Sequence, residues 1–303
     1  MPGGTILVTG ATGAQGGSVA CYLLSSGRYR VRCLTRKPES AAATALQCAG
    51  AEVVQGDLED PASLRAALDG CSGVFGVTNY WEHFEREYTE GKNLVDAVAE
   101  ARIGHFVFST LGYPSKPDLE VPHIEIKTRL EEYARSLGLP ATYVHVAFYY
   151  ENFLAYFPPR RRDDGSYWFG FPQGDTPLAA VAAADLGGVV VPIFDGPEEY
   201  KGRRVGVVGD DQPCQRYAET MSRVLGMRIA YRHVPREVFA AFGFPGADDL
   251  ANMFDLNRRF ILSRRKDLEE SRALYPRIRT FEKWLTENAD RFRSVLEAGS
   301  GAA

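Results

Sequence analysis

The sequence predicts an α/β protein: a Rossmann-type, doubly wound parallel sheet with a smaller α/β C-terminal lobe for a substrate or partner. Three observations predict it. The stretch Thr5 to Leu24, TILVTGATGAQGGSVACYLL, runs from β-branched apolar residues through glycines at 10, 13 and 16 into an amphipathic segment. That is strand, tight turn and helix. Short apolar runs then alternate strictly with helical periods, which a parallel sheet with crossover helices accommodates most simply. Finally, 303 residues with 45% apolar and 24% charged side chains can bury a large globular core.

The same composition excludes several classes. A formal charge of −4 gives no electrostatic case for direct nucleic-acid binding. Five cysteines (Cys21, Cys33, Cys48, Cys71, Cys214) show no CxxC spacing, so reduced thiols in an intracellular protein and no metal site are expected. The first strand begins almost at once, which predicts no cleavable signal. The longest apolar stretch, Pro177 to Phe194, is interrupted by Asp185 and by glycines and prolines, so no membrane span is expected.

In the first unit each glycine has a task. Gly10 turns the chain out of the strand, Gly13 admits a pyrophosphate close to the backbone, and Gly16 lets the helix pack on the strand. Unpaired N–H groups at the helix start then favour an anion. A helix near Gly16 to Ser26 is followed by the strand Arg30 to Thr35, whose tip is Arg36-Lys37-Pro38. An acid at this tip holds the ribose 2′-hydroxyl of NAD; two cations suit the 2′-phosphate of NADP(H) instead. The alternative is a solvated basic turn.

A helix from Glu39 to Ala49 and the strand Ala51 to Gln55 lead to Gly56-Asp57-Leu58-Glu59-Asp60. Asp57 is the candidate acceptor for the adenine amino group, with the Leu58 N–H facing the ring. Asp60 before Pro61 reads as a helix cap. After the helix Ala62 to Leu68, the strand Gly73 to Val77 ends in Thr78-Asn79-Tyr80-Trp81, at the strand end where open sheets bind ligands. One long helix, Glu82 to Ala101, and a fifth strand, His105 to Ser109, complete this series.

Taken together, GATGAQGGSVA, AEVVQGDLED, TNYW, EEYARSLGLP with YYEN, and GFPGADDLANMF make the chain resemble the NmrA-like family over nearly its whole length, and within it the redox-sensing members. Ala11 stands where those members have glycine. The resemblance implies an atypical short-chain dehydrogenase/reductase that binds NADP(H) and acts as a sensor through regulatory protein partners, shifting between monomer and dimer. It implies cofactor contacts at Gly10, Ala11, Thr12, Gly13, Ala14, Gln15 and Gly16, at Arg36 and Lys37, at Asp57 and Leu58, at Thr78, Asn79 and Tyr80, at Lys127, and at Tyr149, Tyr150, Glu151 and Asn152. Location in the cytoplasm, and also the nucleus, follows from the same likeness.

Lys127 decides between two mechanisms. Dehydrogenases of this superfamily place Tyr and Lys four apart on one helix face, so that the tyrosine passes a proton to the substrate carbonyl. Here the residue four before Lys127 is His123. In a sensor, Lys127 only bonds the nicotinamide ribose. In a reductase of a small carbonyl or quinone, His123, Ser109 or Tyr113 takes over proton transfer, because hydride transfer is the cofactor's own chemistry.

The strand Thr142 to Val146 ends at Ala147 to Asn152, with Asn152 a candidate for the carboxamide and the tyrosines either a pocket wall or core. Residues 158–165, PPRRRDDG, read as a solvated loop, and Trp168, Phe169 and Phe171 as a short strand that closes the pocket as a lid. A helix from Ala183 to Phe194 returns to the main sheet, and a strand follows at Arg204 to Val208. Helices at Gln215 to Leu225, Arg236 to Phe242, Leu250 to Phe260 and Thr280 to Leu296, with the strand Ile229 to Val234, build the smaller lobe. The expected domains are therefore 1–153, taking in about 183–208, and 154–303.

Overall fold

The computed structural model describes residues 3–112 and 119–298. Its main sheet is built from β1 (Thr5–Val8), β2 (Arg30–Thr35), β3 (Glu52–Gln55), β4 (Cys71–Gly76), β5 (His105–Thr110), β6 (Ala141–Val146) and the edge strand Arg204–Val207. Helices α1 (Ala14–Ser26), α2 (Ala41–Cys48), α3 (Pro61–Leu68), α4 (Tyr80–His83), α5 (Arg86–Glu100) and α6 (Pro122–Ser136) are interleaved with the first six strands. In the sheet β3, β2, β1, β4, β5, β6 and the edge strand lie side by side, and β1 to β6 pair in parallel. The order reverses between β1 and β4, which is where a doubly wound sheet opens its crevice.

Two compact units emerge. Among the described residues, one comprises 3–112, 122–146 and 184–205, and the other 119–121, 147–183 and 206–298. In the first, β5 is buried along its whole length because helices cover both faces. Leu64, Leu94, Val98, Phe106, Phe108 and Leu130 belong to one apolar cluster on one side. The returning helix Leu186–Asp195 lies against α1, where Gly187 has no room for a Cβ: it would sit 2.5 Å from the Ser18 carbonyl oxygen. Ser18 fastens the contact, donating to the Ala184 carbonyl at 2.8 Å and accepting from the Gly187 N–H at 2.9 Å.

The second unit has two three-stranded sheets, one of Phe148–Tyr149, Leu178–Val181 and Asp210–Gln212, the other of Arg160–Arg161, Tyr167–Phe171 and Ile229–His233. Its core is aromatic, with Phe171 stacked on Phe254 at 4.5 Å between ring centres and with Tyr150, Phe153, Tyr217, Phe281 and Trp284 buried nearby.

Several expected elements differ, each for a local reason. The single helix expected over 82–101 is two, because Phe84 takes a left-handed φ of 48° between α4 and α5. The helix expected over 280–296 is Phe281–Glu287 and Ala289–Ala298, since the Asn288 side chain bonds the Trp284 carbonyl at 2.8 Å and ends the first. A further helix, Arg265–Leu274, was not expected; it is so polar that only Ser271 on it is buried. The loop expected at 158–165 includes Arg160–Arg161, a short strand antiparallel to Tyr167–Phe171. The latter is not a lid: Tyr167, Phe169 and Phe171 point into the unit's core at the period of two that a strand imposes. Tyr150 is likewise core and not a pocket wall, fully buried with its hydroxyl donating to Asp210 at 3.3 Å.

Candidate functional site

The glycine turn is built as its spacing predicts. Gly10 has a φ of 57°, which only glycine adopts without strain, and its carbonyl accepts the Gly13 N–H at 2.9 Å. Gly13 is the N-cap of α1 and no side chain caps that end, so the first N–H groups of a 13-residue helix open outward. Thr12, Gly13 and Ala14 are exposed while Ala11 is buried against the sheet. A Cβ at Gly16 would collide with the carbonyl oxygens of Thr9 and Gly10 and lie 2.5 Å from the Gly10 carbonyl carbon. The third glycine therefore allows the helix to rest on the strand.

The tip of β4 is tied to that of β1 across the order reversal: the Val77 N–H donates to Thr9 Oγ1 at 2.8 Å, and Thr9 Oγ1 donates to the Val77 carbonyl at 3.1 Å. Beyond it, Thr78 is buried and donates to Glu87 at 2.6 Å. Lys127 Nζ meets the same carboxylate at 2.6 Å and bonds Thr78 Oγ1 at 3.1 Å. The Glu87 side chain is wholly inaccessible and that of Lys127 nearly so, which makes this a buried ion pair. From β5, Ser109 donates to Gln15 in the first turn of α1 at 2.7 Å.

His123, on α6 one turn before Lys127, is buried, with its ring 5.2 Å from that of Trp81 and 5.9 Å from that of Tyr80. Tyr80 is itself buried, whereas Trp81 remains 43% exposed. The third proton-donor candidate, Tyr113, lies outside the described residues.

At the tip of β2, Lys37 is exposed, and Arg36 is half-exposed with its guanidinium 2.6 Å from Glu82 of α4. Asn79 holds the other oxygen of Glu82 at 3.2 Å. His83 faces Arg36 through Nε2 at 3.4 Å and Glu90 through Nδ1. Burial pushes the Glu90 carboxyl above its ordinary range, and His83 opposes that shift. Glu59, His83 and Glu90 bring ligand-type atoms within 4.8 Å of one another, but Arg86 already pairs with Glu59 at 3.0 Å. Asp57 accepts the Glu59 N–H at 3.0 Å in a turn, Leu58 packs on the apolar cluster, and Asp60 caps α3 through the Ala62 N–H.

Tyr149, Tyr150, Glu151 and Asn152 belong to the second unit. There Glu151 accepts the Ala183 N–H at 3.1 Å and Asn152 begins the short helix Asn152–Ala155, while Tyr149 is half-buried. The first unit thus brings together the glycine turn, Ser109, Thr78, Asn79, Tyr80, His123, Lys127 and Arg36. Glu82, Glu87 and Gln15 were missed as partners of these residues. Glu87 had a signal: it falls on the same stripe as Gly91, Leu94 and Val98, and a carboxylate on an apolar stripe requires a buried cation.

The chain is similar to known proteins over most of its length. The model of the NmrA-like family matches residues 2–285. An NmrA-like family domain-containing oxidoreductase of a Cladobotryum species, FrzB, is 34% identical over 282 residues, 82% of this chain and 82% of its own. The crystal structure of NmrA, a negative transcriptional regulator, in complex with NADP is similar at a TM-score of 0.83 and 26% identity, over 98% of each chain. The same regulator in complex with NAD is similar at a TM-score of 0.84 and 25% identity, over 99% of this chain and 98% of its own.

Proposed function

The chain belongs to the NmrA-like family, and from that premise we propose that it binds NADP(H) at the carboxyl ends of β1, β2 and β4 and serves as a redox sensor and regulator through protein partners. One observation carries the cofactor reading. The uncapped start of α1, pressed onto β1 by Gly16, opens where the strand order reverses, with the Arg36 guanidinium at the tip of the neighbouring strand. Backbone N–H groups there fit a pyrophosphate and a guanidinium fits a 2′-phosphate. The dinucleotide complexes of NmrA support the same reading.

The sensor reading rests on the proton-transfer candidates. His123 is buried against Tyr80 and Trp81, and the Ser109 hydroxyl is committed to Gln15. Lys127 is engaged by Glu87 and Thr78. None of these three, among the described residues, stands as an open general acid. A nicotinamide dinucleotide held there would supply hydride chemistry, and the chain's own groups would orient it without delivering a proton. Exposed aromatic residues of the second unit, Tyr156, Phe242 and Phe244, offer apolar area for a protein partner. The second reading, an NADPH-dependent reductase of a small carbonyl or quinone, is supported by the Cladobotryum relative's being named an oxidoreductase.

Thermal shift with NADPH and with NADH tests the cofactor, because a ligand bound only by the folded state raises stability with the logarithm of its saturation. NADPH should stabilise more, and Arg36→Ala should bring its shift down to that of NADH. Equal shifts in the unmodified protein would refute the phosphate assignment. Turnover of quinones or aldehydes that disappears in His123→Ala would replace the sensor with the reductase.

A further inference from the structure

We propose that Glu82 is a specificity-determining residue that occupies the 2′-phosphate position of Arg36 and must leave it when a phosphorylated dinucleotide binds. The inference rests on the NADP(H) reading above and adds to it a residue on a different element from the cations. Arg36 Nη2 donates to Glu82 Oε1 at 2.6 Å, and Asn79 Nδ2 holds Glu82 Oε2 at 3.2 Å, so both oxygens are engaged at the tip of β2. Both partners of the ion pair are 49% exposed, so an incoming anion reaches the guanidinium from solvent.

A carboxylate and a phosphate cannot share that guanidinium. Like charges on adjacent sites repel, and a planar guanidinium binds a phosphate through two parallel bonds that use the N–H group now given to Glu82. NADP(H) therefore displaces Glu82, whereas a dinucleotide with a free 2′-hydroxyl leaves the ion pair standing and can donate that hydroxyl to the carboxylate. The sequence lacks an acid at the tip of β2; α4 brings one there from 46 residues away.

Displacement has a route into the rest of the unit. Glu82 lies on α4, a four-residue helix that ends at Phe84 with its φ of 48° and carries Trp81 against His123. Moving the carboxylate moves a helix of only four residues, next to the position where the superfamily has its acid. The presence of one phosphate is thereby converted into a change at Tyr80 to Phe84.

The test measures NADPH and NADH affinities, by the nucleotides' own fluorescence, for the unmodified protein, Glu82→Gln, Arg36→Gln and the double variant. Glu82→Gln should bind NADPH about two- to fivefold tighter, the range expected for releasing one exposed ion pair, with NADH bound no tighter. The gain should vanish in the Arg36→Gln background. Amide exchange of residues 80–84 should rise with NADP+ and not with NAD+. If Arg36→Gln weakens NADPH selectively while Glu82→Gln changes both nucleotides equally or neither, the role of Glu82 is overturned and the cofactor site stands. If Arg36→Gln leaves NADPH binding unchanged, the phosphate site itself fails and Glu82 with it.

Discussion

Replacing Glu131 by glutamine should cost about 3 kcal/mol at neutral pH, and the loss should fade in acid. Glu131 lies on α6 one turn beyond Lys127, with no exposed surface. It accepts from Thr110 of β5 at 2.9 Å and Arg135 at 3.0 Å, pairs with Arg204 of the edge strand at 2.6 Å, and meets His145 of β6 at 3.1 Å. Burial pushes its carboxyl upward, but the bonds from His145 and Arg204 outweigh that and hold it at about 2, against an ordinary 4.5. A depression of that size corresponds to about 3 kcal/mol. The sign follows from proton linkage. A carboxyl whose folded value is depressed contributes fully above its unfolded value and loses that contribution as pH falls through the folded one. The stability gap between the unmodified protein and Glu131→Gln should thus be about 3 kcal/mol at pH 7 and under about half that at pH 3. Urea unfolding followed by circular dichroism at the two pH values reads it. A gap below about 1 kcal/mol at pH 7, or one that does not shrink in acid, would refute the reasoning.

Two more substitutions test the site's framework. Gly16→Ala drives a methyl into the Thr9 and Gly10 backbone, so about 1–3 kcal/mol of overpacking should exceed the helix gain of about 1 kcal/mol. Gly17→Ala, whose Cβ would lie 3.2 Å from the Ala11 carbonyl oxygen, is its control; equal melting temperatures for the two would contradict the packing role. Lys127→Met strands the buried Glu87 carboxylate and should cost about 3–5 kcal/mol, with Glu87→Gln in the same chain restoring most of it. Should the double variant melt as low as the single one, Lys127 serves something other than this pair.

What could be read in advance depended on whether a residue's role is local. Gly13 and Gly16 were legible because each closely approaches backbone only a few residues away, and Gly10 because its own φ of 57° favours glycine. Asp60 was legible because a cap binds two residues on. The parallel, doubly wound sheet followed from strict alternation of strand and helix. Lys127 was found, but its partner Glu87, 40 residues distant, was marked only by the stripe it shares with Gly91, Leu94 and Val98. Phe84 could not be anticipated, since a single left-handed residue leaves no mark on helical periodicity. Tyr150 could not be assigned from the sequence because aromatics at a strand end suit a pocket and a core equally, and only tertiary packing decides.

The helix Leu186–Asp195 seals α1, yet it is encoded after the chain has left its first unit and passed through 147–183. A nascent chain halted near residue 150 would expose the apolar flank of α1 and leave Ser18 without the Gly187 N–H. Native packing of that flank must wait until this later stretch has emerged from the ribosome. Folding is consequently coupled across the intervening excursion, which slows closure and lengthens the time during which a holdase could intervene. Fragments ending before residue 195 should be recovered as aggregates, while those reaching residue 205 contain every strand of the sheet's first six and both sides of the α1 contact.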